Sequence, residues 1–164
     1  MPQNPKISGK MDPALTTKLL LARQLLEKHQ PDSLTGLGSI ELSKMPDQIY
    51  AEASMNPQSN AIKMNANPEK HQGIKDVANT LAHEAMHNKF TAGHYVPKTG
   101  IINDPFYQAG DAAAASLPSN EVKFWENLME NVGFPASSHT PTNVKPQTQL
   151  IMDLVSKRRK SGDR

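Results

Sequence analysis

The chain has 164 residues, enough for one domain with its own hydrophobic core and too few for two domains of ordinary size. Its net charge is only +2, and the one dense basic run, Lys157-Arg158-Arg159-Lys160, lies at the far end, which argues against a nucleic-acid-binding field spread over the body. Cysteine is absent, so disulfides and thiolate metal sites are excluded and His, Asp and Glu remain as the strong zinc ligands.

Thirteen prolines and nine glycines predict long connections between modest elements. The first residues carry no apolar core of signal-peptide type, and no apolar run reaches the length of a membrane span. The expectation is a soluble monomer, either cytoplasmic or exported by a specialised route.

Residues 1–11 show no periodicity and read as a flexible lead-in to a single domain over 12–157, which a basic flexible tail follows over 158–164. Asp12-Pro13 supplies an N-cap and a first-turn proline, and Leu15, Leu19, Ala22 and Leu26 recur at helical spacing up to about His29. His29 and His71 have no partner at ligand spacing and are expected at the surface. A short strand is expected around Ile40 to Leu42. Ile49, Ala51, Ala53 and Met55 alternate with polar positions, Asn56-Pro57-Gln58-Ser59 is turn chemistry, and Ala61 to Asn65 continues the alternation, so the pair reads as a β-hairpin. Ala61 to Asn65 is expected at the sheet edge, where an extended peptide could pair with it.

A helical pattern then runs from about Gly73 to Phe90. At about 100° per residue, Ile74, Val77, Ala78, Leu81, Ala82 and Ala85 share one apolar face, and His83 and His87 fall on the other side. A further helix is expected from about Ser119 to Val132, with Phe124, Trp125, Leu128 and Val132 as its buried stripe, Glu121 on the apolar side and Glu126 and Glu130 away from it. Pro135 to Pro146 reads as a connection and Gln147 to Lys157 as a helix. The expected fold is α+β and zincin-like: a small antiparallel or mixed sheet whose edge hairpin packs on the long helix, with further helices C-terminal.

That helix carries His83-Glu84-Ala85-Met86-His87, an H-E-x-x-H motif. Residues four apart on a helix lie one above the other, so the two histidines can offer nitrogens to one zinc ion, with Glu84 beside them to take a proton from a water polarised by the metal. A catalytic zinc generally has three protein ligands. His94, Asp104 and Glu121 are the downstream candidates for the third. His94 is misplaced for the longer H-E-x-x-H-x-x-G-x-x-H pattern, because Phe90 stands at its glycine and Gly93 at its third histidine. Asp104-Pro105 also reads as a helix N-cap with a first-turn proline, and a carboxylate on an apolar side, such as Glu121, needs a partner of some kind.

Over about Ile49 to Val132 the sequence resembles the deuterolysin-type zinc endopeptidases, the aspzincins. Asp76-Val77-Ala78-Asn79-Thr80-Leu81 before the motif, Ala92-Gly93 after it, and Asp104-Pro105-Phe106-Tyr107 carry the resemblance, with residues 94–101 additional and Gln108 in place of a glycine. It implies Asp104 as third zinc ligand, Tyr107 as oxyanion stabiliser and Glu121 in a supporting role. A second resemblance, to zincins with a glutamate ligand in an N-E helix, would instead make Glu121 of Asn120-Glu121 the ligand. The expected function is zinc-dependent hydrolysis of protein or peptide substrates. Hydrolysis of cell-wall peptide cross-links and a non-catalytic zinc-stabilised binding module are the alternatives.

Overall fold

The computed structural model describes residues 6–9, 12–92 and 105–133. Among these the chain is α+β, with four α-helices and a small mixed sheet. Strand β1 (Lys6–Gly9) leads to helix α1 (Pro13–His29), strands β2 (Ser39–Ser43), β3 (Ala51–Ala53) and β4 (Ala61–Asn65) follow, and helices α2 (Ile74–Phe90), α3 (Pro105–Ala115) and α4 (Ser119–Asn131) complete the fold.

Helix α1 begins as its sequence dictates, with the Asp12 carboxylate accepting from the Leu15 N–H at 2.8 Å. Its burial is wider than the apolar stripe, because Thr17 and Lys18 are also inside. The Lys18 ammonium is satisfied by the carbonyls of His71 and Gln72 at 3.2 and 3.1 Å, and burial lowers its pKa. Helix α2 starts under two carboxylates: Asp76 accepts from the Gly73 N–H and Glu126 of α4 from the Ile74 N–H. Glu126 therefore points at a helix terminus and not away from the domain.

The sheet order is β1-β2-β4-β3, with β1, β2 and β4 parallel and β3 antiparallel to β4. Ile40, Leu42, Ile62 and Met64 are at most 1% exposed and form the core with α1 and α2, while Glu41 and Lys63 stand on the solvent face. The hairpin of the sequence reading is present as β3 and β4, but Ala61–Asn65 is an interior strand, paired on both sides. Among the described residues the two edge strands are β1 and β3, and β3 is the one beside α2. Tyr50 O accepts from Asn65 N and Ser54 N donates to Ala61 O, so Ala51 and Ala53 direct their own N–H and C=O groups away from β4.

Other expectations are corrected by non-local pairing. Lys6–Gly9, read as part of a flexible lead-in, is a parallel strand whose partner lies across α1. His71, expected at the surface, is 1% exposed because its Nε2–H donates to the Asn65 carbonyl at 2.9 Å inside the fold. On α4 the buried side chains are Val122, Trp125 and Met129, whereas Phe124 is 48% exposed. Gln147 to Lys157 lies outside the described residues, as does the 135–146 connection.

Candidate metal centre

The position of α2 is set by close backbone approach and by one buried amide. Gly36, in the loop before β2, sits where a Cβ would overlap the Ala85 carbonyl oxygen, so only glycine lets that loop lie on the motif helix. Asn88, fully buried next to His87, donates to the carbonyls of Gly36 and Ala61 and accepts from Met55 N and Ser54 Oγ. It joins the helix to the hairpin. No sequence signal marks it, since its four partners are far along the chain.

His83 and His87 lie off the apolar stripe, as helical spacing requires, yet they are only 7% and 5% exposed. Helix α3 covers them: the Phe106 ring lies 4.3 Å from that of His87 and the Tyr107 ring 4.6 Å from that of His83. The two Nε2 atoms are 3.1 Å apart. At the C-terminus of α2, Thr91 adopts a left-handed conformation (φ 48°) and the chain turns so that the Ala92 carbonyl meets His87 Nδ1 at 2.6 Å. A carbonyl can only accept, so Nδ1 carries a proton and Nε2 is the nitrogen left to offer a metal.

Glu84 completes the cluster, with Oε1 3.8 Å from His83 Nε2 and 7% of the residue exposed. Burial, followed by the nearby negative charge of Glu52, pushes its carboxyl up to about 7, against a hydrogen bond with the Ala53 backbone. One donor atom from each of His83, Glu84 and His87 lies within 4.8 Å of the others. Two Zn–N bonds of about 2.0–2.1 Å at a near-tetrahedral angle separate their nitrogens by roughly 3.1–3.4 Å, so the imidazole pair fits that ion.

The cluster opens into a cleft of about 680 Å³. The segment Gln48 to Ala53 forms one wall, α2 residues Asn79, Thr80, His83, Glu84 and His87 form another, and Tyr107 of α3 borders it. The exposed edge groups of Ala51 and Ala53 belong to this cleft.

Glu121 is not part of the cluster. It bridges to the end of α1, with Oε1 2.9 Å from Lys28 Nζ and Oε2 2.8 Å from His29 Nε2. Burial works to raise its pKa, but the hydrogen bonds and charges of Lys28 and His29 prevail and hold the carboxyl below its ordinary value. His29, expected at the surface, is partly buried by this contact. Asp104 and His94 lie outside the described residues. Phe106, Asn88 and the Ala92 carbonyl are contacts around the cluster that the sequence does not signal.

No protein-family model matches the chain, and neither the curated proteins nor the solved structures contain a significant match. The aspzincin resemblance therefore rests on the motif residues themselves.

Proposed function

We propose that this protein is a zinc-dependent endopeptidase of zincin type. The observation that carries the reading is the convergence of two imidazole Nε2 atoms, 3.1 Å apart, beside a buried carboxyl in a cleft bounded by a free strand edge. Zinc held by His83 and His87 would supply Lewis-acid polarisation of a water and of the peptide carbonyl. Asp104, as third ligand, belongs to the proposal. Its support is its place in the chain, directly before Pro105 of α3, whose Phe106 and Tyr107 lie on the motif histidines.

Glu84 is the general base. Its carboxylate, beside the two imidazoles, accepts a proton from water and gives it to the leaving nitrogen as the water oxygen bonds to carbon and the C–N bond breaks. The outward N–H and C=O of Ala51 and the C=O of Ala53, whose N–H is directed at Glu84, pair with the substrate main chain, which gives affinity with little sequence preference. The Tyr107 hydroxyl donates to the carbonyl oxygen as negative charge develops there.

The test is Glu84→Gln, with bound zinc and turnover of a casein-like protein measured together. Zinc retained with hydrolysis nearly abolished is expected. Cleavage at the parental rate would remove Glu84 from the mechanism. Turnover of purified peptidoglycan but not of protein would favour the cell-wall reading.

A further inference from the structure

Among the described residues, five large apolar or aromatic side chains are exposed: Tyr50, Met55, Phe90, Tyr107 and Phe124. Single exposed apolar residues need no explanation, but three of these five, Tyr50, Met55 and Tyr107, line the same cleft. Tyr107 lies against His83 and so belongs to the metal centre. Tyr50 lies farther along. It precedes by three residues Ala53, whose backbone is hydrogen-bonded with Glu84, and at the usual strand rise this places it about 10 Å from the reacting centre.

The backbone under Tyr50 is held from below. Its carbonyl accepts from Asn65 N at 2.9 Å, and the Asn65 side-chain amide donates to the carbonyls of Ile49 and Pro46 at 2.9 and 3.2 Å. Asn65 is itself 1% exposed and is fixed by the buried His71. Lys70 Nζ stands 5.9 Å from the centre of the Tyr50 ring, a cation–π contact that further orients it. The ring is 55% exposed on this rigid support.

The two directions of the cleft differ. Towards Met55, Asn88 joins α2 to the hairpin through Met55 N and Ser54 Oγ. Towards Tyr50 the lining continues through Ile49 and Gln48 on one side and Thr80 and Asn79 on the other. A peptide paired with the β3 edge matches that strand residue for residue, so a side chain about three positions from the bond under attack meets Tyr50.

Building on the peptidase reading, we infer that Tyr50 forms a remote subsite that selects an aromatic or large apolar side chain about three residues from the scissile bond. The polarity of the bound peptide decides whether that residue is on the N-terminal or the C-terminal side. The occupant is a peptide because the neighbouring edge groups recognise main chain, and it is apolar at this position because an exposed aromatic face gains most from another ring.

The experiment uses the zinc-loaded full chain and internally quenched peptides that carry Phe or Ser at the third position on either side of one cleavable bond. The parent is expected to prefer Phe on one side, through KM. Tyr50→Ala should lower kcat/KM for that Phe peptide about fivefold to tenfold and leave the Ser peptide unchanged, while Tyr50→Phe keeps the parental preference. The parental preference is read without any variant, so a folding defect in Tyr50→Ala does not obscure the result. Equal use of Phe and Ser on both sides, or a Tyr50→Ala loss shared by both peptides, overturns the subsite and leaves the peptidase reading standing. No Glu84-dependent cleavage of any peptide overturns both.

Discussion

Two histidine–carboxylate clusters in this molecule look alike on paper and differ in chemistry. His83, Glu84 and His87 are buried at the base of a cleft, their imidazole Nε2 atoms point at one another, and burial raises the carboxyl to about 7. Lys28, His29 and Glu121 lie nearer solvent, the imidazole and the ammonium each take a separate oxygen, and the carboxyl is held low. The second arrangement fastens α4 to the end of α1, with both carboxylate oxygens of Glu121 already engaged. In the first, two lone pairs can converge on one point, which is what a metal needs and what a salt bridge lacks.

If the proposed function holds, the sharpest contrast between them is catalytic. Glu84→Gln is expected to lower hydrolysis by on the order of 10³-fold with zinc retained, because it removes the proton acceptor and little else, while Glu121→Gln should match the parent. Equal losses in the two variants would erase the distinction. Metal content gives the next test: Asp104→Ala should lose stoichiometric zinc, and Glu121→Ala should keep it, measured by metal analysis after dialysis. Retention in Asp104→Ala would remove Asp104 from the ligand set.

Stability against pH separates the clusters by the sign of the slope. In the metal-free protein, Glu84 has a raised folded-state pKa, so its contribution is complete below about pH 4.5 and is lost as pH rises through 7, on the order of 3 kcal/mol in all. Glu121 has a lowered one, so its contribution is complete above the ordinary carboxylate range and is lost as pH falls through it. Urea melts in chelator, taken as the difference between parent and variant, should show the neutral limb flattened by Glu84→Gln and the acid limb flattened by Glu121→Gln. Taking differences also removes the contribution of His71, whose lowered pKa works in the opposite direction to Glu84.

A backbone test addresses what supports the first cluster. Gly36→Ala places a methyl group on the Ala85 carbonyl and is expected to cost about 2 kcal/mol or more, seen as a lower urea midpoint. The smallest expected effect is that of Glu121→Ala on stability at neutral pH, about 1 kcal/mol or less, since its bridges are partly exposed. A larger loss would mean that the second cluster is more than a fastening.

Much of the architecture was legible because it rests on local rules. Asp12-Pro13 and the leucine spacing mark α1, the alternation around Asn56-Pro57 marks the β3–β4 hairpin, and the apolar stripe marks α2. The same periodicity places His83 and His87 together, because i and i+4 stack on any helix. The histidine pair was therefore readable before any fold was known.

What the chain order could not convey is who meets whom across long separations. Whether Ala61–Asn65 is an edge or an interior strand depends on β2 arriving beside it, and that pairing leaves β3 as the open edge. The burial of His71 depends on the Asn65 carbonyl, and the role of Glu121 depends on the end of α1. The stacking of Phe106 on His87 depends on α3 packing along α2. Sequence by itself determined helices α1, α2 and α4, the hairpin and the paired histidines, since those follow from backbone geometry within a few residues. Only the tertiary structure decided which carboxylates are accounted for elsewhere, which edge is open and which aromatic rings surround the histidines, because each is settled by contacts between segments far apart in the chain.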